Sequence, residues 1–462
     1  MEKFDIAILG GGPGGYVAAI RAAQLGKKVA IIDKDKLGGV CLNWGCIPTK
    51  ALLKNAEVLH TVKNAKRFGI KINDYEVDFT ATIKRSRQIA DRLSKGVEYL
   101  MKQNGITYLV GRGKLKSANE LTVTGKNKSQ LVTADTILIA TGARNRTFPG
   151  LETDGERVIS SKEAMVLEAP PKKMVIIGAG AIGVEFAYFY NLFGTEVHVI
   201  EMLPRILPVE DEEVSKELDK NFKKSGLKIH TSTRVVRIEK TGDGVQVAIE
   251  KDGIEAIIEA DYTLVAVGVT GNIEGIGLDK VGVNTDRGAI VVDGFGRTNI
   301  TNIYAIGDVT GSPWLAHVAS AQGRIAVEQA VGKNPAPLDL SNIPGCTYCQ
   351  PQVASVGMTE QAAVEQGIEI KIGRFLFRNI GKSLAIGENA GFVKIIFERA
   401  TGKLLGCHII GAEATELIAE LVVARALGAT WFDLATTIHA HPTLSEAIME
   451  AAADAYGEAI HQ

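Results

Sequence analysis

Two glycine-rich turns, each set between an apolar strand and an apolar-periodic helix, constrain this 462-residue chain more than any other feature. The first is Gly10-Gly11-Gly12-Pro13-Gly14-Gly15, which follows the apolar run Phe4 to Leu9. Its GxGxxG spacing provides a tight turn, close approach of backbone to a pyrophosphate, and packing of the next helix on the strand, while the helix N-terminus offers N–H groups to the anion. That helix is predicted to run to about Leu25, and Val29 to Ile32 to form a second strand ending at Asp33. One such turn says little, because similar turns occur without any ligand. Here the whole unit recurs: strand Met174 to Ile177, turn Gly178-Ala179-Gly180-Ala181-Ile182-Gly183, strand Val197 to Ile200, and Glu201 at its end. Gly10 and Gly178, Gly26 and Gly194, and Asp33 and Glu201 are each 168 residues apart. A shared register through turn, helix and second strand predicts two dinucleotide-binding units. An acidic residue at the strand end accepts from ribose hydroxyls and repels a 2'-phosphate, so both units favour an unphosphorylated ribose. Arg205 lies close to Glu201, which makes NAD a preference over NADP rather than a certainty; alternatively Arg205 pairs with Glu210 or Asp211.

A single hydrophobic core stops growing at roughly 250 to 300 residues, so this length predicts two or three domains. Lys+Arg 52 against Asp+Glu 53 leaves a net charge of -1, which excludes the basic field that gathers nucleic acid or anionic membrane. No apolar run approaches the roughly 18 residues of a membrane span. Met1-Glu2-Lys3 leads directly into Phe4 to Leu9 without a basic or amphipathic leader, so the expected location is the cytoplasm; a mature organellar matrix protein fits the same features.

Five cysteines are too few for a secreted disulfide scaffold, but two of them are unusually placed. Cys41 and Cys46 sit in Leu37-Gly38-Gly39-Val40-Cys41-Leu42-Asn43-Trp44-Gly45-Cys46-Ile47-Pro48-Thr49-Lys50. In a regular helix, positions five apart point about 140° away from each other and cannot reach the roughly 5.5 Å Cα separation of a disulfide. A bridge therefore requires the helix to start distorted. Closing so short a loop restrains the unfolded chain little, which favours redox chemistry over stabilisation. On spacing alone, two unpaired buried thiols remain the alternative.

The run Gly38 to Lys50 resembles the active-site signature of the class I pyridine nucleotide-disulfide oxidoreductases, and the likeness extends through essentially the whole chain. The resemblance implies an α/β fold with two Rossmann-like dinucleotide-binding domains, the FAD domain discontinuous, plus a C-terminal α+β dimerisation domain. The implied division is 1–145 and 270–336 for FAD, 146–269 for NAD and 337–462 for the interface. FAD is expected on Gly10, Gly12, Gly15 and Asp33, with Thr141 and Gly142 after the strand Thr136 to Ile139, and Asp308 in Ile303-Tyr304-Ala305-Ile306-Gly307-Asp308. NAD is expected on Gly178, Gly180, Gly183 and Glu201, and Gly268 joins the cofactor-binding residues. Asp33 stands where Glu is more usual, so its ribose contact is expected to be longer or water-bridged.

The segment His439-Ala440-His441-Pro442-Thr443-Leu444-Ser445-Glu446 is similar to the family's base segment, which makes His441 the base, Glu446 its orienting carboxylate and His439 structural. An imidazole can take a thiol proton near neutral pH, and a carboxylate on its other nitrogen fixes the tautomer. Lys50 and Glu185 resemble the pair beside the flavin where hydride arrives; a solvated Lys and a helix-start Glu are the plain alternatives. By the same likeness Cys41 is the interchange thiol and Cys46 the flavin-facing one. Val269 replaces a common Arg, and Ala321 and Gln322 replace usual acidic residues, which puts details around the site in doubt. Cys346 and Cys349 read as ordinary thiols, and no metal site is expected.

Glu201 argues against the NADP-reading glutathione-type members, and Ala459-Ile460-His461-Gln462 offers no C-terminal thiol pair of the kind other members carry. The expected activity is NAD-dependent reoxidation of protein-bound dihydrolipoyl groups by a homodimer in which each His441 serves the partner's dithiol. The expected partner is a lipoylated acyltransferase or carrier protein of a 2-oxo acid dehydrogenase or glycine cleavage complex. A non-catalytic flavoprotein subunit has no need for the dithiol, the base and both fingerprints together.

Overall fold

The computed structural model describes residues 2–461; Met1 and Gln462 lie outside them. Strand Glu2–Leu9 pairs in parallel with Val29–Asp33 on one side and Ser129–Ile139 on the other. Its Ile6, Ala7, Ile8 and Leu9 are all buried, as a parallel strand covered on both faces requires. The sheet continues outward through Thr107–Val110 at one edge and the hairpin Glu120–Thr124 with Arg112–Ser117 at the other. Ser129–Ile139 is longer than the predicted Thr136 to Ile139 because its first half pairs with that hairpin. Ile303–Ala305, far on in the sequence, adds in parallel to Ser129–Ile139, so the first unit is built from two separate stretches of chain.

The second unit repeats the pattern. Lys173–Ile177 lies between Glu196–Ile200 and Tyr262–Val265, with Lys228–His230 and Val158–Ile159 at the edges, all parallel. A three-stranded antiparallel sheet, Arg234–Lys240, Val245–Lys251 and Ile254–Ala260, shares a hydrophobic cluster with it. The chain leaves and re-enters the first unit through the two-stranded pair Ala143–Asn145 and Val269–Gly271. Next comes a five-stranded antiparallel sheet ordered Gly345–Thr347, Gln352–Gly357, Leu404–Gly411, Phe392–Glu398, Ile370–Leu376, packed by helices Ala414–Ala426 and Glu446–Asp454. Among the described residues no helix is long and apolar enough to cross a membrane.

Strand Phe392–Glu398 buries a lysine, and that lysine ties the second unit to the five-stranded antiparallel sheet. Lys394 is 1% exposed, with Nζ 2.9 and 3.0 Å from the Asp211 oxygens, 2.8 Å from Glu213 and 2.6 Å from Glu360. Asp211 also caps helix Glu212–Lys224 by accepting from the Glu213 N–H. Removing one partner of a buried pair strands the other charge, which typically costs 3 to 5 kcal/mol. Lys394→Met is therefore expected to lower stability by about 3 kcal/mol or more, read as a lower urea midpoint; an unchanged midpoint would mean that the cluster holds nothing together.

Candidate active site

The two cysteines straddle a break in the helix. Residues Gly39–Trp44 form one short helix, Gly45 leaves helical geometry at φ -144° and ψ -117°, and Cys46–Lys63 forms the next. The distortion that a bridge demands is thus a full interruption, falling just before Cys46. The chain pins this segment from several sides. Asn43 donates to the Leu37 and Gly39 carbonyls, Thr49 ties the restart by donating its hydroxyl back to the Gly45 carbonyl at 2.7 Å, and Arg87 donates to the Asn43 carbonyl at 2.7 Å. Trp44, between the cysteines, is clasped by Arg87 and Lys162 at 4.9 and 4.7 Å from its ring. Nothing in the sequence pointed to Arg87 or Lys162.

Cys41 and Cys46 are both thiols, and the acidity of each is set first by the other. Their acidities split. Cys41 is held in its protonated form by donating to Cys46 and by burial, whereas Cys46 is brought down to about 7 by the Cys41 hydrogen bond, against burial, with further help from the Lys50 charge. The proton of the pair therefore resides on Cys41 and the negative charge on Cys46. Lys50 Nζ lies 2.9 Å from both oxygens of Glu185, which is 4% exposed. The Glu185 carboxylate also accepts from the Tyr348 N–H at 3.0 Å, and Lys50 Nζ sits 4.4 Å over the Tyr348 ring. Tyr348 was not foreseen. Burial pushes its flanking thiols up, Cys346 to about 11 and Cys349 well above the ordinary thiol range, so neither is a ready nucleophile.

His441 Nδ1 lies 2.8 Å from Glu446 Oε1, and the other Glu446 oxygen accepts from the Thr443 N–H at 2.8 Å. Burial opposes ionisation of Glu446, but the Thr443 N–H and the His441 ring outweigh it and hold the carboxylate below its usual range. The His441 side chain is 78% exposed and makes no hydrogen bond to either cysteine of its own chain. His439 differs: its side chain is 6% exposed and bonded to Glu420 and the Thr437 carbonyl.

The nucleotide turns carry the same construction twice. Gly10 and Gly178 adopt φ +114° and +100°, and a Cβ there would run into the Ala140 and Ala266 carbonyls; a Cβ on Gly15 or Gly183 would strike the Gly10 or Gly178 carbonyl. The middle glycines face open space: a Cβ on Gly12 would meet nothing nearer than 3.9 Å, and one on Gly180 nothing within 4 Å. Asp33 accepts from the Gly11 and Asp35 N–H groups at 2.6 and 2.8 Å, and Glu201 from Ala179 and Leu203, both at 2.8 Å. Each carboxylate therefore braces its own turn and keeps lone pairs for further donors. Arg205 takes neither predicted role among its neighbouring carboxylates, donating instead to the Pro208 carbonyl at 3.1 Å.

The first turn fits FAD on two counts: the cradle above Gly12 is open, and burial raises the pKa of the Asp308 carboxyl, which has no protein hydrogen-bond partner among the described residues. Such a carboxylate suits the hydroxyls of a sugar-like chain. Its loop is held by Gln322, whose side-chain oxygen accepts the Gly307 N–H at 2.8 Å, so the Gln322 departure has a structural use. Thr141 donates to the Asn272 carbonyl at 2.9 Å, Asn272 returns a bond to Thr141, and its N–H bonds Gly142. Gly268 has φ +104° at the end of the second unit's sheet, with open space beside it.

A family model described as pyridine nucleotide-disulphide oxidoreductase matches residues 4–323, and the dimerisation domain of the same name matches residues 343–452. The chain belongs to the pyridine nucleotide-disulphide oxidoreductase family. Family relatives named dihydrolipoyl dehydrogenase include one from Rhizobium etli, 48% identical across 100% of this chain and 99% of the relative, and one from Bacillus subtilis, 45% identical across 99% of each. Among solved structures of similar fold are LpdA from Mycobacterium tuberculosis, with a TM-score of 0.91 at 30% identity over 98% of this chain and 99% of that one, and the flavoprotein disulfide reductase RclA from Escherichia coli, with 0.88 at 26% over 98% and 99%.

Proposed function

We propose that this chain is a flavoprotein that reoxidises dihydrolipoyl groups and delivers their electrons to NAD. The observation that carries this reading is the dithiol itself: Cys41 and Cys46 face each other across the Gly45 break, with the Lys50–Glu185 pair beside Cys46. Full-length relatives of that name, matching from end to end, support the choice of substrate.

With the Cys41–Cys46 bridge oxidised, His441 takes a proton from one substrate thiol, and the resulting thiolate attacks Cys41 Sγ. A substrate–Cys41 disulfide forms, the Cys41–Cys46 bond breaks, and Cys46 departs with the electron pair as a thiolate. His441 hands its proton to the departing Cys41 sulfur and takes the one from the second substrate thiol, which attacks its own partner sulfur; the lipoyl disulfide closes and Cys41 leaves as a thiol. Bound FAD supplies the two-electron acceptance that restores the bridge and the hydride that reduces a nicotinamide. Lys50 holds positive charge beside the Cys46 thiolate, and Glu446 keeps the His441 ring turned for the transfer.

Gly10, Gly12, Gly15, Asp33, Thr141, Gly142 and Asp308 would hold FAD, and Gly178, Gly180, Gly183, Glu201 and Gly268 would hold NAD, within the division 1–145 with 270–336, 146–269 and 337–462. The dimerisation domain and the solvent-facing His441 support a homodimer in which each base serves the other subunit. The partner would be a lipoylated acyltransferase or carrier protein of a 2-oxo acid dehydrogenase or glycine cleavage complex, met in the cytoplasm. Dihydrolipoamide with NAD is expected to turn over about a hundredfold faster than glutathione disulfide with NADPH in parallel steady-state assays. The opposite ranking would overturn the substrate assignment.

A further inference from the structure

The Lys50–Glu185 pair is completed by a third party from another part of the fold. Tyr348 follows the strand Gly345–Thr347 of the C-terminal sheet, yet it touches both members of a pair built from helices of the two nucleotide units. Its N–H reaches Glu185 Oε1 at 3.0 Å, and its ring lies under Lys50 Nζ at 4.4 Å. We propose that Tyr348 is a positioning residue of the redox centre, holding Lys50 against Glu185 and beside Cys46 through its backbone N–H and its ring face.

A lysine ammonium has three donors and a flexible stem. The Glu185 oxygens both lie 2.9 Å from its Nζ, and the ring attracts the cation from a further side. A charge so confined stays near the neighbouring sulfur, where it favours the thiolate more than a freely swinging lysine would. The Tyr348 hydroxyl makes no hydrogen bond to Lys50 or to Glu185, whose partners are each other and the Tyr348 N–H. The ring, not the hydroxyl, is thus the part that matters to Lys50. Because any non-proline residue supplies the N–H that Glu185 uses, a side-chain substitution isolates the ring.

The inference rests on Cys41 and Cys46 being the redox pair, but its test reads ionisation of Cys46 rather than turnover, so failure of the two readings can be told apart. The flavin-loaded dimer is reduced with a phosphine, desalted without oxygen and pulsed with iodoacetamide from roughly pH 5 to 9. Fragmentation of the peptide carrying both cysteines then gives the alkylation rate at Cys46 alone. In the unaltered protein the midpoint is expected near 7. Tyr348→Leu is expected to raise it by about half a unit, making alkylation about threefold slower below the midpoint, while Tyr348→Phe keeps the original profile. Should Tyr348→Leu fail to retain flavin, Tyr348→Met refills the volume with an apolar chain lacking a ring and carries the same expectation. A flavin-loaded Leu or Met variant with an unmoved midpoint overturns the proposal, as does a Phe variant that shifts as far as Leu.

Discussion

Cys46→Ser is expected to lower dihydrolipoamide turnover by about a thousandfold or more while leaving FAD bound. Serine matches the size of cysteine and fits the helix restart, but it cannot bridge to Cys41, and its hydroxyl does not ionise near neutral pH. Both halves of the chemistry fail: no disulfide awaits the substrate, and no thiolate forms beside Lys50. The residues proposed to hold FAD lie in the Gly10 turn, at Asp33, at Thr141 and Gly142, and in the Asp308 loop, and their hydrogen bonds do not involve the Cys46 sulfur. Steady-state rates measured alongside the visible flavin spectrum separate these effects. A variant that retains both flavin and near-normal turnover would remove the dithiol from the mechanism. The same sulfur predicts a pH trend: as pH falls through about 7, Cys46 takes up a proton and the charge near Lys50 is lost, so reactions of the reduced pair slow on the acid side.

His441→Ala is expected to cost between about a hundredfold and ten-thousandfold in kcat/KM for dihydrolipoamide, the range of a lost general base. Because His441 points to solvent within its own chain, the stronger test is complementation. If each base serves the other subunit, mixing His441→Ala with Cys46→Ser protomers builds hybrids with one site lacking both groups and one site intact. After free exchange, half the dimers are hybrids, and activity should recover to about a quarter of the unaltered level. Two inactive parents that give an inactive mixture, despite proven subunit exchange, would place the base and the dithiol in one chain.

How much of this could be read from the sequence depended on whether a residue works through its position or through its surroundings. The paired turns were legible because Gly10, Gly15, Gly178 and Gly183 are fixed by backbone geometry that other residues cannot meet. The break between Cys41 and Cys46 was legible because helical spacing and disulfide reach are incompatible. The base segment, the discontinuity of the first unit and the Lys50–Glu185 pair came through family likeness, since no local pattern announces them. Tyr348 stayed hidden: it acts on Glu185 through a backbone N–H, a group every residue but proline has, across a long separation in sequence. Arg205 could be placed near carboxylates, but the sequence could not say that its guanidinium turns to the Pro208 carbonyl. Lys394 was the missed signal that could have been caught, because a lysine inside Phe-Val-Lys-Ile-Ile-Phe is out of place on a buried strand unless acids meet it.

The brace that Glu201 forms with Ala179 and Leu203 bears on how such a fold could change its coenzyme. A carboxylate here repels a 2'-phosphate, so admitting a phosphorylated ribose favours its removal, yet an arginine in its place cannot accept the two N–H groups that now shape the turn. A switch of preference by that single exchange would loosen the very loop meant to receive the new coenzyme. Redesign would have to begin by supplying a substitute acceptor for the turn, and only afterwards introduce the positive charge.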